Sequence, residues 1–211
     1  MESTRPIVNQ RLFAQGYAPL FGLNAGVTLI ELLVTIAVLS FILALGIPNL
    51  REFLVRSQVG SITADFSNDI YRARSEAINR NSCTTICMSA NTANAINGGT
   101  PTCAVAGNNW QAGWIIFSNP TCSAALNNPI QNNNQLISVR QSGSTNFVLS
   151  TTPALRRITF DSRGLTNSGQ RNFTLEYSPE NVGNSTHYRT ICLSSAGRVT
   201  TKQYGGVGAC P

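Results

Sequence analysis

One carboxylate, Glu31, interrupts an otherwise uncharged apolar run from Val27 to Ile47. A run of that length matches the ~20 apolar residues that a membrane-spanning helix requires. A carboxylate at membrane depth costs about 2.5–3.5 kcal/mol on insertion scales and usually has a functional partner. Because no Lys, Arg or His lies between Val27 and Leu50, that partner must come from elsewhere. The plainer alternative is a signal anchor with Glu31 among the lipid headgroups.

Six cysteines, all after Asn81, form the second group of reactive side chains. An even number outside the cytoplasm predicts up to three disulfides. Cys83 and Cys87 cannot pair within one strand, since four residues at ~3.3 Å each exceed the ~7 Å reach of a disulfide. A zinc site is the alternative, but it needs closely spaced Cys and His ligands. His187 is the single histidine, so we predict no metal or other cofactor.

Three disulfide pairings follow from where the cysteines fall relative to the predicted strands and loops. A Cys192–Cys210 bond would tie the glycine-rich C-terminus to a core strand. A Cys87–Cys103 bond would close the Asn-rich loop after the first strand, which leaves Cys83 to pair with Cys122 by elimination.

Catalytic constellations are missing from the sequence. His187 lies in a polar loop and is interpreted as a solvated residue. Glu176 falls on the polar face of a predicted strand and Glu180 follows Pro179 in a turn, so both are read as surface carboxylates. No glycine-rich phosphate loop follows a strand. We therefore expect a protein that is not an enzyme.

Basic residues dominate the C-terminal part of the chain. Eight basic and three acidic residues follow Arg80, and this excess favours contact with a polyanion through counterion release. Arg198 and Lys202 are four apart on a predicted strand and would share one face. With Arg189 they are candidate DNA contacts, although scattered arginines are also ordinary solvated surface.

The elements that position these groups begin with a long helix. Pro48 is expected to kink or melt it, because proline removes a backbone donor and clashes with the preceding turn. The helix is expected to end near Asn79–Asn81, because residues with high helix propensity stop there. Beyond Pro48, apolar residues recur at intervals of three and four, which predicts an amphipathic helix packed on a globular domain. They are Val55, Val59, Ile62, Phe66, Ile70, Ala73 and Ala77.

A run of short strands follows the helix, separated by turn-rich segments. One long helix followed by strands predicts an α+β fold, with the helix packed on antiparallel sheet. The predicted strands are Cys83–Met88, Gly113–Phe117, Leu136–Arg140, Phe147–Leu149, Arg157–Phe160, Phe173–Tyr177, Tyr188–Leu193 and Val199–Tyr204.

The start of the chain resembles the N-terminal signal of type IV prepilins and type II secretion pseudopilins. A polar leader ends at Gly26, and the sequence Val-Thr-Leu-Ile-Glu-Leu follows it. The resemblance implies cleavage after Gly26 by the prepilin peptidase and N-methylation of Val27. Glu31 is then the fifth mature residue, and Pro48 occupies position twenty-two, where the family has a recurrent proline. The new amine at Val27, on a neighbouring subunit, would become the partner of Glu31; a contact within one chain is the alternative.

Later segments are similar to minor pilins and pseudopilins of the GspH/FimT/FimU type. The residues that carry this resemblance occur in the family's order. They are 73–77 (Ala-Arg-Ser-Glu-Ala), 110–117 (Trp-Gln-Ala-Gly-Trp-Ile-Ile-Phe), 158–164 (Ile-Thr-Phe-Asp-Ser-Arg-Gly) and 191–199 (Ile-Cys-Leu-Ser-Ser-Ala-Gly-Arg-Val). Some FimT-like pilins bind DNA through a Gly-Arg-x-Arg motif, and here Thr200 replaces its second arginine.

The resemblance implies a type IV pilin fold and a division of the chain into four parts. These are a cleaved leader (1–26), a transmembrane and assembly helix (27–50), an amphipathic helix (51–81) and a β-rich GspH-like domain (82–211). The expected location is the bacterial inner membrane, single pass, with the C-terminal domain in the periplasm and a surface pilus after assembly.

The expected function is that of a minor type IV pilin that helps initiate assembly and sits at or near the filament tip. The expected partners are the prepilin peptidase, other minor and major pilins, and the inner-membrane assembly platform. A type II secretion pseudopilin and a DNA-binding pilin for natural transformation are the alternatives.

Overall fold

The computed structural model describes residues 26–129, 135–179, 187–203 and 210, with the backbone alone at 45–49 and 203. One helix, α1 (Leu29–Asn79), precedes two four-stranded antiparallel sheets with strand orders β3-β2-β1-β5 and β4-β6-β7-β8. The strands are β1 (Thr84–Met88), β2 (Trp114–Ser118), β3 (Leu136–Arg140), β4 (Phe147–Thr151), β5 (Arg157–Phe160), β6 (Arg171–Tyr177), β7 (Arg189–Leu193) and β8 (Val199–Gln203).

The α+β class and all eight predicted strands are confirmed; β3 and β5 have the predicted bounds, and the described ends of the others differ by at most two residues. The predicted last residue of β8, Tyr204, lies outside the described residues. The predicted melted turn at Pro48 is wrong, because helical backbone continues from Leu29 to Asn79. Proline removes a single backbone donor, and the turns on either side keep their own hydrogen bonds.

The chain divides after Gly46 into two compact units. Within the described residues, no helix combines the length and the apolarity needed to cross a membrane. The side chains of residues 45–49, which belong to the predicted membrane segment 27–50, lie outside the description.

Phe66 lies at the centre of the main core of the second unit. The predicted stripe of α1 is buried along its whole length, from Val55 to Ala77. The Phe66 ring meets those of Trp110, Trp114 and Phe173 edge to face, at centroid distances of 5.3, 5.2 and 4.9 Å. Edge-to-face contacts place the positive ring edge on the negative face of its neighbour. The helix is thereby fixed on both sheets through one side chain.

Strands β1 and β2 are buried at every residue, whereas β4 and β6 alternate between buried and half-buried positions. One face of the first sheet joins the main core through Ile86 and Ile116. The other face is covered by a second core, formed by Cys87, Cys103, Ile115, Phe117 and Leu126. Loop residues therefore bury the side of the sheet that the helix does not reach.

Three disulfides join Cys83 to Cys122, Cys87 to Cys103 and Cys192 to Cys210, with Cα–Cα distances of 5.2, 5.5 and 5.5 Å. These are the same three pairs that the sequence predicts. The Cys87–Cys103 bond holds the loop between β1 and β2 against the first sheet, and the Cys83–Cys122 bond holds the loop between β2 and β3. Cross-links of this kind restrict the unfolded chain and thereby raise the free energy of unfolding, typically by about 2–4 kcal/mol each.

Candidate functional site

The start of α1 presents an exposed backbone segment. Gly26 and Val27 precede the helix, and Val27 is 70% exposed. A Cβ atom placed on Gly26 would meet nothing within 4 Å. The peptide bond between these two residues, the predicted cleavage site, is therefore sterically open within the described part of the chain.

Thr28 caps the N-terminus of α1. Its side-chain oxygen accepts a hydrogen bond from the Glu31 backbone N–H at 3.2 Å, and its carbonyl accepts one from Leu32 at 3.1 Å. Thr28 and Glu31 thus occupy the N-cap and N3 positions of a Thr-x-x-Glu capping box, in which Glu or Gln at N3 can reach back to the cap. The spacing of Thr28 and Glu31 carries this signal in the sequence itself.

Every residue from 26 to 44 is exposed, and each large apolar side chain from Leu29 to Leu43 is at least 50% exposed. The hydroxyls of Thr35 and Ser40 donate to the Leu32 and Ala37 carbonyls of their own helix. Such bonds satisfy polar groups without an outside partner. Within residues 26–44, the Glu31 carboxylate makes no hydrogen bond or ion pair, so it is the group available to a partner.

Arg74 joins three segments that are distant in the sequence. Its Nε donates to the Gly164 carbonyl, in the turn after β5, at 3.1 Å. A Cβ on Gly197, in the turn between β7 and β8, would lie 2.6 Å from the same carbonyl and 2.9 Å from Arg74 Cδ. We call Arg74, Gly164 and Gly197 the three-turn junction. It fixes the end of α1 to a turn of each sheet.

Asp161 shapes one turn of the three-turn junction. Its Oδ1 accepts the backbone N–H groups of Arg163 and Leu165, each at 2.9 Å. The hydrogen bond from the Leu165 N–H is the main reason that the pKa of Asp161 lies below its ordinary value. The Arg163 N–H and guanidinium lower this pKa further. An ionised aspartate thus holds Gly164 in the position that meets Arg74.

Replacing Gly197 by alanine is expected to lower the free energy of unfolding by about 1–3 kcal/mol, the usual cost of a strained backbone conformation. Its φ of +72° disfavours any Cβ, and the junction leaves no room for one. Gly169→Ala is the matched control, because Gly169 has a φ of +67° but nothing within 4 Å. Thermal unfolding of both variants would measure the difference. Equal decreases in melting temperature for the two variants would mean that the close contacts at the three-turn junction add no destabilisation beyond that of the strained backbone.

The three candidate DNA contacts do not form one cluster. Arg198 is exposed in the turn before β8, and Lys202 is half-buried on β8. Their spacing places both on the outer face of the second sheet, with Cys192 and Thr200. Arg189 instead pairs with Gln203 and shares the opposite face with buried Ile191. Arg189 therefore lies on the opposite face of the sheet from Arg198 and Lys202, a placement that follows from a strand register that the sequence does not reveal.

Comparison with known proteins places this geometry in a family. The family model described as type II transport protein GspH matches residues 63–197, more than half of the chain. The chain belongs to the GspH family. The match includes α1 from Thr63 and ends at Gly197, so it contains all three residues of the three-turn junction.

Solved structures with the same fold include the type IV minor pilin FimU of Pseudomonas aeruginosa strain PAO1. One crystal structure is 16% identical and covers 71% of this chain and 92% of that one, with a TM-score of 0.50. A second crystal form is 17% identical and covers 68% and 91%, with a TM-score of 0.46. The search of curated proteins gave no match. The chain thus belongs to the GspH family and has the fold of the minor pilin FimU.

The remaining predicted groups serve structure. His187 is 7% exposed and packs on the Tyr177 ring at 6.2 Å, so its interpretation as a solvated loop residue was wrong. Glu176 is half-buried on β6, and Glu180 lies outside the described residues. No group of three His, Cys, Asp or Glu residues in the described part of the GspH-family chain could hold a metal.

Proposed function

We propose that this GspH-family chain is a minor pilin of a type IV pilus. The observation that carries the proposal is the exposed apolar helix 29–44, which has one unused carboxylate near its start. A helix that is apolar all round needs a membrane or other helices around it. The family is one of membrane-anchored or pilus-associated proteins, which supports the proposal. In the proposal, the helix lies first in the inner membrane and then in the filament.

In this proposal the precursor inserts once into the inner membrane, with the β-rich domain in the periplasm. The prepilin peptidase removes residues 1–26 and the new amine of Val27 is methylated. The assembly platform then transfers the mature chain into the filament, where it contacts other minor and major pilins at or near the tip. It would thereby help initiate pili used in twitching motility, adhesion or DNA uptake.

Cleavage between Gly26 and Val27 is the first expected result. Gly26 is exposed and offers no Cβ to obstruct the peptidase. Intact mass and N-terminal peptide analysis of the mature protein should find methylated Val27 as its first residue. Gly26→Val should leave the full-length precursor, whereas the neighbouring change Ala25→Ser should be cleaved normally. A native N-terminus at any other residue would overturn this assignment.

A type II secretion pseudopilin is the second candidate, favoured by the family description as type II transport protein GspH. It would use the same cleavage and the same helix. Purification of the chain from membranes separates the two candidates, since a minor pilin should bring the major pilin with it and a pseudopilin the major pseudopilin.

DNA binding is a third candidate, and it rests on Arg198 and Lys202 sharing one face of β8 and its preceding turn. A contact with phosphates through two cations would give a shallow salt slope, of about two counterions. Mobility-shift titration at several salt concentrations separates this candidate from the two assembly roles.

A further inference from the structure

The outer edges of the two sheets differ in how the chain covers them. Along β4, the Asn109 side chain accepts the Leu149 N–H at 3.1 Å. The Asn108 side chain accepts the Thr151 N–H at 3.4 Å and donates to the Thr151 carbonyl at 2.8 Å. These two amides take the place of a neighbouring strand, so the β4 edge is closed.

The edge of β5 is also occupied by a turn, and the edge of β3 is contacted at one carbonyl by a side chain of α1. Asn167 bonds to Thr159 of β5 through its backbone N–H at 3.1 Å and accepts the Thr159 N–H through its side chain at 3.4 Å. Arg72 of α1 donates to the Ile137 carbonyl of β3 at 3.5 Å. Unpaired edges are templates for adding another strand, and proteins commonly cover them in this way.

The backbone groups of β8 can be assigned to its two sides. Ser194 N–H donates to the Arg198 carbonyl at 2.9 Å, which makes that opposing pair hydrogen-bonded. Because such pairs alternate in an antiparallel ladder, the N–H and C=O of Val199, Thr201 and Gln203 point away from β7. The Tyr71 hydroxyl donates to the Val199 carbonyl at 2.8 Å and confirms this direction.

Thr201 is the open position of this edge. It is exposed, and no described residue bonds to its outward N–H or carbonyl. Cys210 does not cover it, because the Cys192–Cys210 bond holds Cys210 over β7 and the Gln170 side chain, next to β6, donates to its carbonyl. Beyond the Tyr71 contact, the described residues leave the β8 edge without a neighbour.

We propose that the β8 edge binds an extended segment of a neighbouring pilin subunit by strand addition. The outward N–H and C=O groups of β8 repeat every second residue, or every ~6.8 Å along the strand. The bonding groups of an added antiparallel strand repeat at the same interval. Residues 187–203 contain three basic side chains and no acidic one, which favours a neutral or acidic partner segment. The inference rests on the proposed function, in which the chain joins a filament.

Thr201→Pro tests the edge directly. Proline removes the outward N–H but none of the bonds to β7, since an edge strand accepts proline where its N–H faces outward. Thr201→Val is the matched control, because it keeps the N–H and the branched side chain while removing the hydroxyl. We expect Thr201→Pro to lower the amount of this chain in sheared pili about tenfold, through an unpaired group in the interface, and Thr201→Val to leave it unchanged.

Two further measurements make each outcome decisive. Gel mobility of the Thr201→Pro variant without reductant shows whether the Cys192–Cys210 bond is retained. If the bond is retained, the β7–β8 hairpin still folds. Hydrogen exchange of the mature wild-type chain should show protection of residues 199–203 in pili relative to the same chain in detergent. Wild-type incorporation of Thr201→Pro, or protection at Leu136–Arg140 of β3 instead, would overturn the edge proposal alone. Absence of the unmodified chain from pili would overturn the proposed function itself.

Discussion

Replacing Phe66 by alanine is expected to lower the free energy of unfolding by about 3–5 kcal/mol, the usual cost of truncating a buried phenylalanine. Phe66 is fully buried and meets one aromatic ring from each sheet and a third, Trp110, from the turn before β2, so no single neighbour can move to fill the space. A domain of this size is typically stable by about 5–15 kcal/mol, and the variant would lose a large part of that.

Guanidinium unfolding of the full-length chain in detergent would measure the Phe66→Ala effect. Phe53→Ala is the matched control, since Phe53 lies on the same helix but is 65% exposed. It should change the free energy of unfolding by less than about 0.5 kcal/mol, as is usual for surface substitutions. Similar losses from both variants would contradict a core centred on Phe66.

The helix and strands could be predicted because their signals are local. The stripe from Val55 to Ala77 follows the period of a helix, and each of its members is buried. The cysteine pairs were also accessible to reasoning, since Cys83 and Cys87 exclude one another and the remaining cysteines sit beside loops that need closure. Spacing alone gives one answer for the helix, whereas for the cysteines it only excludes the Cys83–Cys87 pair, and the closure of loops selected among the pairings that remained.

Contacts between distant segments could not be predicted in the same way. Arg74 and Gly164 are far apart in the chain, and nothing in either motif indicates that one binds the other. The face on which Arg189 lies depends on the register of β7 with β8, which the sequence leaves open. His187 was interpreted as solvated because nothing in its loop indicates that it packs on Tyr177 of β6.

At the helix start, the sequence indicated the position but not all of the local chemistry. Glu31 was identified as the carboxylate in an apolar run, whereas its place at N3 of a helix capped by Thr28 was not. This second role matters for interpretation, because a carboxylate in the first turn stabilises a helix by about 0.3–1 kcal/mol whether or not it binds another subunit. An experiment on Glu31 must separate the two roles.

Replacing Glu31 by alanine is expected to abolish incorporation into the filament while leaving cleavage and membrane insertion intact. In the proposed assembly, the Glu31 carboxylate meets the α-amine of Val27 on a neighbouring subunit. Leaving one member of a buried ion pair unpaired costs about 3–5 kcal/mol, which corresponds to about 100-fold or more in an equilibrium constant. Quantitative immunoblots that compare the amount of the variant in sheared pili with its amount in membranes would measure incorporation. Glu31→Asp should be partly active, since its charge remains but its reach is shorter.

Glu31→Gln distinguishes pairing between subunits from capping of the helix. A glutamine at N3 can complete a capping box as glutamate does, so a purely helix-capping role predicts normal incorporation. The pairing mechanism predicts a defect close to that of alanine, because an uncharged amide cannot neutralise a buried amine. Wild-type levels of Glu31→Ala protein in pili would exclude the pairing mechanism. Wild-type levels of Glu31→Gln alone would assign Glu31 to the helix start, with the Val27 amine needing a different partner.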